Sequence, residues 1–236
     1  MNLENIRKKL VILEDIIIKN ICNRVNYKLN KEIYIHNSDK FKFLNNFEGT
    51  YFDFLFKHME NVQSMAGRYE AFDEKPYYKG LEKTKIEREY ENTLPNDILK
   101  FSNKVNFNAW IRIAYLNFIQ NICIIDNDNN YGDTVLCDIN CLQAISKRIH
   151  YGILVMEAKY KESKSVYDKY LNDDDDVSII AKLKNKDIEN KVLQRVKEKA
   201  IKYKFKNSEQ IVNFFKNFII PMTIQVELEY VFTKNE

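Results

Sequence analysis

The sequence has little of the material from which linkers and tight turns are made. Its 236 residues include only five glycines and three prolines, and no segment is rich in proline, serine and glycine. Such residues form flexible connections between domains, so their scarcity argues against a division of the chain by a linker. A chain of this length can bury one sizeable core. The sequence therefore predicts a single domain over residues 1–236.

Cysteine is also scarce, and its spacing does not suggest a metal site. The four cysteines show no C-x-x-C pattern and have no nearby histidine that would complete a set of ligands: Cys22, Cys123, Cys137 and Cys141. They are predicted to be reduced thiols in the core. The acidic run Asp173–Asp176 precedes an apolar-periodic segment, so it is interpreted as a helix start that one aspartate caps. No metal site is predicted.

The sequence lacks charge of one sign and long apolar runs. The formal net charge is +3, and the lysines are spread among acidic residues, whereas nucleic-acid binding proteins usually concentrate their basic residues. No apolar run is long enough to span a bilayer. Charged residues stand at Glu4, Arg7, Lys8 and Lys9, where a signal peptide needs apolar residues. We therefore predict a cytoplasmic protein with no membrane segment and no nucleic-acid partner.

Helical periodicity dominates what remains. Apolar residues recur at the spacing of one helix face, and the fold is predicted to be almost entirely helical. The clearest of these segments are Ile6 to Ile21, Phe52 to Met65, Trp110 to Ile125 and Ile211 to Phe232.

Residues 138–161 are predicted to form one long helix that carries two cations outside its polar stripe. The stripe, interpreted as the solvated face, consists of Asn140, Gln143, Lys147, His150, Glu157 and Lys161. Arg148 and Lys159 lie off it, and eleven residues at about 100° each return them to one face, roughly 16 Å apart. A charge among small and apolar residues must be paired or must bind a ligand. The helix therefore suggests a site for an anion with more than one negative group.

Other polar residues stand at unexpected positions nearer the C-terminus. Glu227 points away from the polar edge of the C-terminal segment, and Thr223 lies one turn before it. One alternative is that Thr223 bonds to its own backbone and Glu227 reaches a lysine. Pro221 should kink or restart the helix there. Asn185 and Glu189, four residues apart, lie in a segment so polar that periodicity cannot separate a site from a solvated face, and it is interpreted as ordinary surface.

These residues form part of a longer pattern. Its central part is Asp138-Ile139-x-Cys141-Leu142-Gln143-x-x-Ser146-x-Arg148-Ile149-His150-x-Gly152-x-x-Val155-x-Glu157-Ala158-Lys159. It begins with Asn2-Leu3-x-Asn5-Ile6-Arg7 and ends with Ile220-Pro221-x-Thr223-x-x-Val226-Glu227-x-Glu229-Tyr230. Asn46-Phe47-x-Gly49 and Asn129-Asn130-x-Gly132 also fit. The chain resembles the all-helical chorismate mutases of the eukaryotic type over essentially its whole length.

The resemblance implies a fold, an activity and a set of site residues. The fold is a single-domain helical bundle with a long central helix. The activity is the isomerisation of chorismate to prephenate in phenylalanine and tyrosine biosynthesis, with no metal and no organic cofactor. The implied catalytic residues are Arg7, Arg148, Lys159 and Glu227, and the implied substrate-binding residues are Asn185, Glu189 and Thr223.

Each of these side chains suits one part of chorismate. Arg7 and Arg148 are expected to bind its two carboxylates with the help of Thr223, since guanidinium groups make paired charge-assisted bonds. Lys159 and Glu227 are expected to donate to the ether oxygen as its bond to carbon breaks. Glu227 can donate only when it is protonated, so its apolar surroundings are predicted to raise its pKa.

Regulated members of the family are dimers that bind tyrosine and tryptophan, and the matching residues here are Arg68, Asn129, Asn130 and Gly132. Gly67, Asp133 and Leu136 depart from the family pattern, so we expect a homodimer with a weakened or absent response to both effectors. The alternatives are a catalytically silent helical homologue that serves as a binding protein, and a lysine-rich RNA-binding protein. Intact site residues argue against the first, and scattered charge argues against the second, whose affinity would fall steeply with salt.

Overall fold

A computed structural model describes residues 3–44, 47–86, 98, 101–173 and 175–235. It confirms the all-α prediction, since these residues form helices and no strand. The α-helices are α1 (Leu3–Arg24), α2 (Tyr51–Met65), α3 (Asn108–Ile122), α4 (Tyr131–His150), α5 (Gly152–Glu162), α6 (Lys164–Asn172), α7 (Asp176–Leu183), α8 (Lys186–Lys202), α9 (Ser208–Phe214) and α10 (Ile220–Asn235). Short 3₁₀ helices cover Lys31–Tyr34, Asp39–Leu44 and Arg68–Glu70.

The chain forms two compact units. The first comprises Met1–Ile18, Leu94–Phe107 and Ala144–Glu236, and the second comprises Lys19–Thr93 and Asn108–Gln143. Helices α1 and α4 each contribute residues to both units. That residues 1–236 form a single domain stays a prediction.

The second unit contains a buried charge cluster around Arg24. Its Nε donates to Oδ1 of Asp138 at 2.7 Å, and its terminal nitrogens donate to the carbonyl groups of residues 27–29. The Tyr115 hydroxyl donates to the same Asp138 oxygen at 2.7 Å, and the Tyr34 hydroxyl donates to the other. Both charges are fully buried, and every polar group of the guanidinium has an acceptor. The cluster therefore stabilises the unit rather than offering a ligand site.

The first unit depends on close packing of α5 against α10. A Cβ atom on Gly152 would lie 2.9 Å from the carbonyl oxygen of Thr223 and 3.4 Å from Cγ of Glu227. Only glycine permits this approach, because the nearest atom belongs to backbone that cannot move aside. The missing side chain therefore brings two of the sequence-predicted site residues against α5.

The predicted central helix differs from the observed one at Tyr151. The structure has two helices, α4 ending at His150 and α5 beginning at Gly152, with Tyr151 between them. The amide of Leu154 bonds to the carbonyl of Tyr151, three residues back, so the turn is tighter there than in a regular helix. Periodicity does not reveal this break, because the residues on both sides keep helical backbone angles.

The polar stripe of the central segment is not a solvated face throughout, and that prediction is wrong for Gln143, His150 and Glu157, which are buried. Within the first unit, Glu157 accepts hydrogen bonds from the Tyr230 hydroxyl at 3.0 Å and from Lys234 Nζ at 2.7 Å. Both partners come from α10, and such distant partners cannot be seen in helical spacing.

Two local predictions about helix starts are confirmed. The side chain of Asp175 accepts a bond from the amide of Ser178 at 3.0 Å and caps α7, as expected for the acidic run. Asp174 lies outside the described residues. A π-helical turn over Phe215–Ile219 precedes α10, which begins at Ile220, one residue before Pro221. The helix therefore restarts at the proline, which lacks an N–H group for a regular bond.

Candidate active site

A cavity of about 580 Å³ in the first unit is lined by side chains from α1, α4, α5, α6, α7, α8 and α10. All seven residues predicted from the sequence as catalytic or substrate-binding line it: Arg7, Arg148, Lys159, Asn185, Glu189, Thr223 and Glu227. They come from positions as far apart in the chain as residues 7 and 227, so the fold brings the whole set together.

Arg148 is a buried cation with incomplete bonding. Its side chain is 5% exposed, and its Nε is the one buried side-chain nitrogen or oxygen among the described residues without a hydrogen-bond partner. One terminal nitrogen lies 3.4 Å from the Thr223 hydroxyl and the other lies 3.8 Å from Glu14. Burial lowers the pKa of Arg148, and the carboxylates of Glu14 and Glu227 oppose that shift. The guanidinium is therefore held at the cavity with donor capacity left for an anion.

Lys159 and Glu227 form a pair on the cavity wall. Lys159 Nζ lies 2.7 Å from Oε2 of Glu227 and also donates to the backbone carbonyl of Leu183 at 3.1 Å. Burial raises the pKa of Glu227, although Lys159 and Arg148 oppose the rise. This is the direction that the sequence analysis predicts. Glu227 is 4% exposed, and its second oxygen makes no hydrogen bond with the described residues.

Asn185 and Glu189 occupy the start of α8. The side-chain oxygen of Asn185 accepts a bond from the amide of Ile188 at 3.1 Å and caps the helix. Its NH₂ group therefore keeps both protons for other acceptors. Glu189 lies one turn further on and is half-buried. The interpretation of this segment as an ordinary surface overlooked the cavity, because its other wall comes from distant helices.

Arg7 and Thr223 differ in how firmly they are held. Arg7 is exposed at the cavity side of α1. The Thr223 hydroxyl donates to the carbonyl of Ile219 at 2.7 Å, one turn earlier in the chain. The alternative raised by the sequence, that Thr223 bonds to its own backbone, is therefore found, and its oxygen is simultaneously available to Arg148.

Sequence reasoning missed the ion pair of Glu14 and Arg195 in this cavity. Glu14 is fully buried, and its carboxylate oxygens lie 3.2 and 3.3 Å from nitrogens of Arg195. Both line the cavity, and Glu14 also faces Arg148. Glu14 follows Arg7 by seven residues, so helical spacing places the two on one face of α1. The seven-residue spacing from Arg7 could have indicated that Glu14 faces the cavity. Arg195 lies in a segment so polar that its position gives no such indication.

The residues implied as an effector site all belong to the second unit. Among the described residues, Arg68 bonds to Glu74 and to Gln143, not to the 129–132 segment. Asn129 has a left-handed backbone, with φ of 62°, and its side chain accepts a bond from the Tyr131 hydroxyl. Gly67, where the family pattern has arginine, also has positive φ, of 79°. A side chain at that position would strain the backbone.

Known proteins resemble this chain over nearly its entire length. The family model described as chorismate mutase type II matches residues 131–228. The chorismate mutase of Schizosaccharomyces pombe is 32% identical over 250 residues, covering 99% of this chain and 96% of the relative. That of Saccharomyces cerevisiae is 30% identical over 253 residues, covering 100% and 96%. The chain belongs to the chorismate mutase family. Chorismate mutases are isomerases, as the sequence predicts.

Solved chorismate mutases share the fold. Aro7p from Candida albicans, in complex with L-Trp, matches with a TM-score of 0.90 and 32% identity, covering 99% of this chain and 92% of that chain. AtCM1 with tyrosine bound in its allosteric site matches with a TM-score of 0.88 and 26% identity, covering 100% and 97%. These chorismate mutases bind aromatic amino acids, so the comparison does not support the weakened effector response expected from Gly67, Asp133 and Leu136.

The described residues contain neither a membrane-spanning helix nor a metal cluster. No helix is both long and apolar enough to cross a membrane. No group of three or more histidine, cysteine, aspartate or glutamate side chains is arranged to hold a metal ion.

Proposed function

We propose that the cavity of the first unit binds chorismate and converts it to prephenate. Chorismate carries two carboxylates, an ether oxygen and a hydroxyl. Its enolpyruvyl arm must fold over the ring before the C–O bond breaks and the new C–C bond forms. The rearrangement is unimolecular, so the protein needs to supply shape and charge rather than a nucleophile. Cationic groups and hydrogen-bond donors on the cavity wall are the chemistry that this substrate requires.

Arg7 and Arg148 bind the two carboxylates. A guanidinium can give two parallel charge-assisted bonds to a carboxylate, and Arg148 has an Nε proton without an acceptor. The Thr223 oxygen and the Glu14 carboxylate hold the other side of the Arg148 guanidinium. Fixing both ends of the substrate selects its folded conformer, and part of the barrier is then met by orientation.

Lys159 and Glu227 stabilise the charge that grows on the ether oxygen. Lys159 is a charged donor that a hydrogen bond to the Leu183 carbonyl holds in position, and protonated Glu227 is the second donor. The raised pKa of Glu227 favours the protonated form. Donors already in position bind the transition state more strongly than the ground state, which raises the rate of the chemical step.

Asn185 and Glu189 bind the substrate hydroxyl. The carboxylate of Glu189 accepts a hydrogen bond from the substrate hydroxyl. The NH₂ group of Asn185 donates a hydrogen bond to the oxygen of that hydroxyl, because the Asn185 side-chain oxygen is already occupied by the amide of Ile188.

One observation carries the proposal: a buried arginine with an unpartnered Nε and a lysine–glutamate pair line the same cavity. The test is to follow the loss of chorismate absorbance with purified protein over a pH series, and to identify prephenate by its conversion to phenylpyruvate in acid. Turnover that declines at alkaline pH is expected. No turnover at any pH would favour a binding protein built on the same fold.

We also propose that the protein is a homodimer regulated by an aromatic amino acid near Arg68, Asn129, Asn130 and Gly132. The support is the sequence match at these positions together with the amino-acid complexes of similar chorismate mutases. Light scattering after size exclusion would measure the oligomeric state, and titration of tyrosine and tryptophan into the assay would measure regulation. Constant activity throughout both titrations would contradict the effector site.

We also propose a cytoplasmic location, as the sequence predicts. Cell fractionation would test the location, and recovery of the protein in an organelle would contradict it.

A further inference from the structure

The wall formed at the junction of α5 and α6 contains polar groups that the proposed reaction does not yet use. Tyr167, on α6, lines the cavity and is 1% exposed. Its hydroxyl makes no hydrogen bond with any described residue. Unlike Nε of Arg148, however, the hydroxyl oxygen is not completely enclosed by protein. What little of this side chain remains accessible is therefore explained by a hydroxyl that opens to the cavity.

An unbonded tyrosine hydroxyl at such a depth is unusual. The O–H group of a buried tyrosine normally has a hydrogen-bond partner, because a buried hydroxyl without a hydrogen bond costs free energy. Tyr230, the other buried tyrosine among the described residues of the first unit, follows the rule, since it donates to Glu157 at 3.0 Å. An exception that faces a cavity is expected where a ligand supplies the acceptor.

Ser163 shows the same pattern at the start of α6. Serine is a favoured capping residue, but the Ser163 side chain makes no capping bond, and it lines the cavity. Two hydroxyl groups on one wall are therefore free for a ligand.

Thr223 supplies a further reason for a donor on this wall. Ionised carboxylates only accept hydrogen bonds, and the Thr223 hydroxyl gives its proton to the carbonyl of Ile219. Thr223 thus holds Arg148 without itself offering a proton to the substrate. A neutral donor to a substrate carboxylate, in addition to the arginines, would therefore come from elsewhere in the cavity.

We propose that the Tyr167 hydroxyl donates a hydrogen bond to a carboxylate of bound chorismate. The inference rests on the proposed function and adds a substrate-binding residue to it. The other acceptors of chorismate already have donors, since Lys159 and Glu227 serve the ether oxygen and Asn185 serves the hydroxyl. Burial is the largest cause that raises the pKa of Tyr167 to about 12, so the donor stays protonated throughout the assay range.

The test is the pair of variants Tyr167→Phe and Tyr230→Phe, each of which removes one buried hydroxyl and keeps the ring. For Tyr167→Phe we expect kcat/KM to fall about 10- to 100-fold, as for a lost bond to a charged group. The loss should appear in KM, since a carboxylate is bound equally in ground and transition states. The inhibition constant of prephenate, which retains both carboxylates, should rise with KM. The melting temperature should not fall, because no protein bond is lost.

Tyr230→Phe should give the opposite result. Its hydroxyl bonds to Glu157 and it does not line the cavity, so the melting temperature should fall by about 3–8 °C with kinetics unchanged. Kinetics of Tyr167→Phe within twofold of the parent, a fall in kcat alone, or a loss of activity in step with melting temperature would each overturn the assignment. If the parent protein itself failed to convert chorismate, the proposed function would be overturned, and the choice of ligand with it.

Discussion

Arg24 and Arg148 are both buried arginines on long helices, but their surroundings differ. Arg24 in the second unit has acceptors for all of its nitrogens and an ion pair of 2.7 Å with Asp138. Arg148 in the first unit has an unpartnered Nε and contacts of 3.4 and 3.8 Å. Burial acts to lower the pKa of both arginines. At Arg24, Asp138 and the neighbouring tyrosine and cysteine groups together outweigh burial and raise the pKa, whereas the pKa of Arg148 stays below its ordinary value. The difference separates a buried charge whose donors all have acceptors from one that keeps donor capacity for a ligand.

The comparison predicts its largest effect on stability at Arg24. Replacement Arg24→Met leaves Asp138 as a buried charge without a counter-ion, which typically costs about 3–5 kcal/mol of unfolding free energy. Urea denaturation followed by circular dichroism would measure it. The double variant Arg24→Met, Asp138→Asn should recover part of the loss, because no buried charge then remains. Equal stability of the single and double variants would show that the ion pair is not the source of the effect.

Arg148→Met should affect activity strongly and stability little. The transition state loses about 2–5 kcal/mol of binding, a fall of about 30- to 5,000-fold in kcat/KM. Unfolding free energy should change by less than about 1 kcal/mol, since an apolar side chain replaces an incompletely paired charge and Glu14 keeps Arg195. Steady-state kinetics and urea denaturation on the same preparation would test both. A variant as unstable as Arg24→Met would erase the distinction between the two arginines.

The third prediction concerns the carboxylate beside each cation. Burial raises the pKa of both carboxyl groups, but Asp138 receives bonds from Arg24 and two phenols, whereas Glu227 has Lys159 alone within bonding distance. Because the protonated form is the proposed donor, kcat/KM should fall tenfold per pH unit above the raised pKa. The neutral amide of Glu227→Gln should remove this decline. A Glu227→Gln profile with the same alkaline fall would assign the ionisation to another group.

The same group affects stability. A raised pKa means that the folded state binds the proton more tightly than the unfolded state, so unfolding free energy falls as pH rises from the ordinary value of 4.5 through the raised folded value. Urea denaturation of the parent and of Glu227→Gln, measured side by side over that pH range, should give unfolding free energies that differ in their pH dependence. The same pH dependence in both proteins would contradict the shift.

The smallest effect is expected for the hydroxyl groups that adjoin the two arginines. Thr223→Val removes an oxygen that accepts from Arg148 at 3.4 Å, and kcat/KM should fall about 2- to 12-fold. Tyr34→Phe, beside Arg24, should leave kinetics unchanged and lower stability, since its hydroxyl bonds to Asp138. Loss of activity in Tyr34→Phe would mean that the cluster of the second unit also serves catalysis.

Much of the site could be predicted because charge in the wrong place is visible in a helix. Arg148, Lys159 and Glu227 interrupt apolar faces, and the structure has all three on one cavity. The same reasoning fails for Glu157, which lies on the stripe predicted to be solvated but is buried, with partners Tyr230 and Lys234 more than seventy residues away. Periodicity gives the face of a side chain but not the helix that will cover it.

Local signals therefore determined the helical class, the start of α7 at Asp175, the restart at Pro221 and the faces that carry Arg148, Lys159 and Glu227, because each depends on neighbours within a few residues. Tertiary structure alone decided the break at Tyr151, the burial of Glu14 with Arg195 and the free hydroxyl of Tyr167. The physical reason is that a buried polar group is defined by what meets it across the core. In this protein those partners come from opposite ends of the chain.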